Sequence, residues 1–171
     1  MRTVKALLLM SILGFTGCGL NEMMAYEQVD WLSNCEFDEF TATSSCSITT
    51  QFKYMRYPEP NAYTVALRPT SDGENVMITI TNNSNGYFRD GMLQVRVGPN
   101  EIIDLYEGNQ LFSNQERGIL IAVPSKETGD LMLTQMSNGS DAMFRVNHMM
   151  LGVLTMEVGL RGFNEAWMSI Q

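Results

Sequence analysis

The chain has 171 residues and carries 11 Lys and Arg against 19 Asp and Glu, a formal net charge of −8. Such a balance repels phosphate backbones and anionic head groups, which disfavours nucleic-acid binding. The length suits one domain and leaves little room for a second.

The first residues predict export. Met1 to Lys5 hold two positive charges and no acid, Ala6 to Leu13 form an apolar run, and small residues precede Cys18. A basic head, a short apolar stretch and small residues at the cut describe a secretory signal. The apolar run is too short for a transmembrane helix, which needs about 20 residues. A cysteine directly after Thr16 and Gly17 marks a lipoprotein signal, although Phe15 stands where such signals usually carry Leu. Residues 1–17 are therefore expected to be removed and Cys18 to carry a diacylglyceryl group and an acyl chain such as palmitate. Two or more acyl chains anchor stably, at about 0.8 kcal/mol for each buried methylene. Gly19 rather than Asp after the cysteine predicts an outer-membrane destination, facing the periplasm or the surface. The mature chain would hold nine bases against 19 acids.

Residues 18–30 read as a tether and residues 31–171 as the domain. Cys35 and Cys46 are the two other cysteines, and an even pair in an oxidising compartment predicts a disulfide. Ser47 to Tyr54 alternates apolar and polar residues, the signature of a half-buried strand. Tyr63, Val65 and Leu67 mark a second strand, and Val76, Ile78 and Ile80 a third. Turns fall at Tyr57–Asn61, Arg68–Gly73 and Asn82–Gly86. Leu93, Val95 and Val97 share a face of a later strand, and further strands are expected at Ile102–Tyr106 and Gly118–Val123. Ser125 is placed to cap a helix through Met136, stopped at Asn138-Gly139 and weakened by Gly129 by about 1 kcal/mol. Met143–Met149 and Leu154–Leu160 predict two more strands, and Gly162 to Trp167 a terminal helix. Short strands separated by Gly- and Asn-rich turns predict a mainly β protein, an antiparallel β-sandwich with one or two short helices near the C-terminus.

Trp31 stands four residues before Cys35, with Cys46 following, and the chain closes on Leu160-Arg161-Gly162-Phe163-Asn164-Glu165-Ala166. In these two ends the chain resembles the invasion-associated locus B proteins, an exported bacterial family. The resemblance spans roughly residues 31–170, with the middle matching in pattern only. It implies a β-sandwich and a role at the cell envelope, in some members during invasion of host cells. The family usually carries an ordinary signal peptide, so a lipid anchor departs from it. Apart from the family, Trp31 is expected to lay its ring over the disulfide, and Phe163 and Trp167, four apart on one helix face, to clamp that helix to the sheet.

Chemistry-bearing residues are sparse. His148 is the sole histidine, and a Ser-His-Asp arrangement would need it, with Asp141. At period two it shares a face with Phe144 and Val146, which predicts a core histidine. No Gly-x-Ser-x-Gly elbow, phosphate loop or dinucleotide fingerprint occurs. Glu36, Asp38 and Glu39 beside the disulfide read as a solvated loop. Met132, Met136, Met149 and Met150 are soft enough for copper, but their scatter predicts core or contact surface. The sequence thus predicts a non-catalytic binding or structural module, with no cofactor and no metal. Its expected partners are the membrane, through Cys18, and a protein of the envelope or of a host. The alternatives are an inhibitor of a basic cell-wall hydrolase and, third, a periplasmic enzyme.

Overall fold

The computed structural model describes residues 27–28, 30–39, 43–54, 61–83, 87–106, 110–114 and 118–171. The expected signal, Cys18 and the tether up to residue 26 lie outside the described residues. In chain order the elements are β1 (Glu27–Gln28), β2 (Leu32–Asp38), β3 (Thr43–Tyr54), β4 (Asn61–Pro69), β5 (Val76–Asn82), β6 (Phe88–Val97), β7 (Ile103–Asp104), β8 (Gln110–Asn114) and β9 (Ile119–Val123). Then come α1 (Lys126–Asn138), β10 (Asp141–His148), β11 (Gly152–Gly159) and α2 (Phe163–Met168).

The strands form two antiparallel sheets. One has the order β1-β3-β4-β5-β9-β8, with β2 also paired along β3, and the other the order β11-β10-β6-β7. Strict alternation builds the core between them. Tyr63, Val65 and Leu67 of β4, Val76, Ile78 and Ile80 of β5, and Leu120 and Ala122 of β9 are buried. Leu93, Val95 and Val97 of β6, Ala142, Phe144 and Val146 of β10, and Leu154, Met156 and Val158 of β11 are buried on the second sheet. Each buried Val, Leu, Ile, Phe or Met among them contributes on the order of 2 kcal/mol. The expected mainly β sandwich is the observed architecture.

β6 interrupts the alternation. Val146 faces Leu93, but the next residue, Asn147, faces Arg89, so extra residues of β6 bulge out of the ladder. Gly91 has φ of 103°, a backbone region that side chains with a Cβ rarely enter. The bulge rephases β6, so that Phe88 also points into the core while Arg89 stays exposed.

Helix α1 starts as expected. Ser125 Oγ accepts a hydrogen bond from Thr128 N, and Met132 and Met136 fill the core. Gly129 is buried, and a Cβ there would stand 2.9 Å from Cγ1 of Val76. The glycine that weakens the helix in isolation is what lets it lie close on β5.

Several boundaries differ from expectation. Of the strand expected at Ile102–Tyr106 only Ile103–Asp104 form a strand, Leu105 N adds one bond to the carbonyl of Leu93, and Ile102 is exposed. β3 starts four residues earlier than expected, at Thr43, because β2 gives it a partner there. Glu27–Gln28, assigned to the tether, already pair with Lys53 and Phe52. β10 ends at His148, and Met149 opens the turn into β11.

Candidate functional site

Cys35 and Cys46 face each other directly across β2 and β3 and are joined by a disulfide. Trp31 does not roof that bridge as expected. Its ring is buried edge-to-face on Phe163, with centroids 5.2 Å apart, and its Nε1 donates to the carbonyl of Gly159 at 2.9 Å. The bridge remains at the surface, with Cys35 exposed. Phe163 and Trp167 stack with centroids 6.5 Å apart and are both buried, so α2 is clamped as their spacing predicts.

His148 is a core histidine. It is 4 % exposed and lies edge-to-face with Phe88 at 5.9 Å. Its Nδ1 accepts from the backbone N–H groups of Met150 and Leu151, at 3.3 and 3.2 Å. A ring that accepts at Nδ1 is not the doubly protonated cation; its Nε2 lies 3.4 Å from Nδ2 of Asn82. Burial pushes its pKa below the usual 6.5. Asp141 sits at the other end of β10, where its carboxylate accepts from Ser140, so the two do not form a catalytic pair.

The other candidates are also dispersed. Glu36 is exposed on β2 and Glu39 is exposed just beyond it, while the side chain of Asp38 lies outside the described residues. Met132 and Met136 are buried in α1, far in role from the exposed Met149 and Met150. Among the described residues, no three His, Cys, Asp or Glu side chains gather as metal ligands.

What the structure does assemble is an apolar end. The turn between β10 and β11 exposes Met149, Met150 and Leu151, with Val153 beside them on β11. Met150 is 78 % exposed. Tyr87 joins this group, its carbonyl accepting from Met149 N at 2.8 Å, and is itself exposed. Arg89 flanks it, exposed and opposite Asn147 on the outer face of the second sheet. Arg145 and Arg96 continue that outer face. The sequence signal was present in Met149-Met150-Leu151-Gly152-Val153, an apolar run spanning a glycine turn. The strand expected through Met149 ends one residue earlier, and Met149 and Met150, expected as core or contact surface, are both exposed on the turn.

A second exposed feature is the turn from Thr70 to Asn75. Asp72 accepts from Thr70 Oγ1 and from Glu74 N, and these bonds hold its carboxyl below the usual range. Glu74 is exposed beside it.

No protein-family model, no curated protein and no solved structure matches the chain.

Proposed function

We propose that this chain is a lipid-anchored protein of the bacterial envelope, held through Cys18, that works as a non-catalytic binding module. The observation that carries the reading is the exposed apolar end formed by Tyr87, Met149, Met150, Leu151 and Val153. Contiguous apolar side chains left in water mark a contact surface. The state of His148 agrees with a binding role, since it faces the core and its Nδ1 is taken up by the backbone of the turn. The outer-membrane destination rests on Gly19, and the resemblance to the invasion-associated locus B proteins favours the cell envelope in general. Mass spectrometry of the mature N-terminus tests the anchor. An acylated Cys18 with residues 1–17 removed is the expected result, and an unmodified thiol or a retained leader sinks it.

The turn at Asp72 and Glu74 favours a second reading, inhibition of a basic cell-wall hydrolase. An ionised, fixed carboxylate on an exposed turn suits a cationic partner, with association that weakens as salt rises. Binding to a basic lysozyme at low salt, lost in Asp72→Asn with Glu74→Gln, would support it. No binding at low salt would remove it.

A further inference from the structure

We propose that the apolar end of the sandwich is seated in the phospholipid surface to which the chain is tethered. The inference deepens the proposed function and rests on its anchor. Its first support is where the chain leaves the domain. Gln28, Phe52, Tyr63 and Asn82 form one row across the end of the first sheet, and Asn82 meets His148, the residue before the apolar turn. Three strand spacings, about 14 Å, separate Gln28 from Asn82 along that row. Glu27 continues outward from it. Eight residues lie between Cys18 and Glu27, and the nine Cα steps reach no further than about 30 Å. An anchor at Cys18 therefore holds the apolar turn close to the bilayer.

The second support is the chemistry of the turn. Backbone donors that enter an apolar medium must already be paired. Here Met150 N and Leu151 N are paired with the buried imidazole of His148, and Met149 N with the carbonyl of Tyr87. The turn can present Met149, Met150 and Leu151 to acyl chains with the N–H groups of all three already paired. Tyr87 has the apolar body and polar tip that suit the head-group level, and Arg89 beside it can meet a phosphate. The chain as a whole is acidic, but charge acts over about 10 Å in salt, and Arg89 stands exposed beside Tyr87.

The test uses the full chain recovered from membranes and reconstituted in vesicles of phosphatidylethanolamine and phosphatidylglycerol, some carrying nitroxide-labelled acyl chains. An environment-sensitive fluorophore is placed at Val153→Cys, and in a second sample at Ser71→Cys on the remote β4–β5 turn. The expected result is quenching several-fold stronger at position 153 than at 71, abolished by Met150→Asp with Leu151→Asp while acylation is unchanged. Equal quenching at the two positions in an acylated sample overturns the proposal and leaves the anchor standing. Shielding of position 153 in intact cells but not in vesicles assigns the turn to a protein partner and also overturns it. If Cys18 proves unacylated, the anchor fails by itself. Vesicle co-sedimentation then decides: sedimentation lost in the double Asp variant supports a lipid-binding turn, and no sedimentation of the parent chain overturns it.

Discussion

The ring of Trp31 meets the ring of Phe163 edge-on, 5.2 Å between centroids, and so joins the start of the domain to its last helix. The contact spans 132 positions of sequence and is reinforced by Trp31 Nε1 donating to Gly159 and by Arg161 pairing with Asp30. The indole, Phe163 and Trp167 lie in the core, whereas the ion pair is exposed to water.

Truncation at that contact separates the two kinds of tie. Trp31→Ala is expected to cost about 3–5 kcal/mol, the range for emptying a buried aromatic site. Trp31→Phe keeps a ring but removes the donor to Gly159, and should cost about 1–2 kcal/mol. Asp30→Asn breaks a solvent-screened pair and should move stability by less than about 1 kcal/mol. Urea unfolding of the three variants checks the order, and an Asp30 effect equal to that of Trp31→Ala contradicts it.

Stability should fall on mild acidification because of His148. Its folded-state pKa lies below the unfolded value near 6.5, so the unfolded chain binds the proton first. The stabilisation is complete above 6.5 and is lost as pH falls from there toward the depressed folded pKa. Protonation of Nδ1 would also displace the N–H groups of Met150 and Leu151. Unfolding midpoints measured between pH 7.5 and 5 should drop in the parent and flatten in His148→Gln. A parent midpoint that rises over the same interval would refute this assignment.

Gly129→Ala sets helix propensity against packing. Propensity alone gains about 1 kcal/mol. The new Cβ would stand 2.9 Å from Cγ1 of Val76, and overpacking of this kind costs about 1–3 kcal/mol. A net loss of about 1 kcal/mol is expected. Combining it with Val76→Ala, which clears the methyl, should recover part of that loss. Thermal unfolding of the single and double variants reads the coupling, and additivity would show that the two residues do not touch.

The sequence made the strands legible wherever one face is wet and the other dry. β5 shows this in Val76, Ile78 and Ile80, and α1 was marked at its start by Ser125 and at its end by Gly139. β2 carried no such signal. Leu32 to Phe37 are exposed on both faces, so no alternation is imposed, and the strand is held by its ladder with β3 and by the disulfide. The disulfide itself was readable from an even pair of cysteines, Cys35 and Cys46. The surroundings of His148 were not, because Asn82 lies 66 positions away and meets it only through the packing of two sheets. The apolar turn was hidden for the opposite reason: local periodicity cannot tell a hydrophobic residue that is buried from one left in water.

The covalent link between β2 and β3 also governs how the domain bears load. A pull applied ahead of Glu27 acts first on β1 and would peel it from β3, one ladder bond at a time. The tear would then run past Trp31 into β2 until it reached Cys35, where the bond to Cys46 stops it. Beyond that crosslink the force passes into β3, which is paired to β4 from Ile48 to Tyr54. The bridge thus works as a rip-stop, confining mechanical damage to the first strands while the sandwich behind it stays closed.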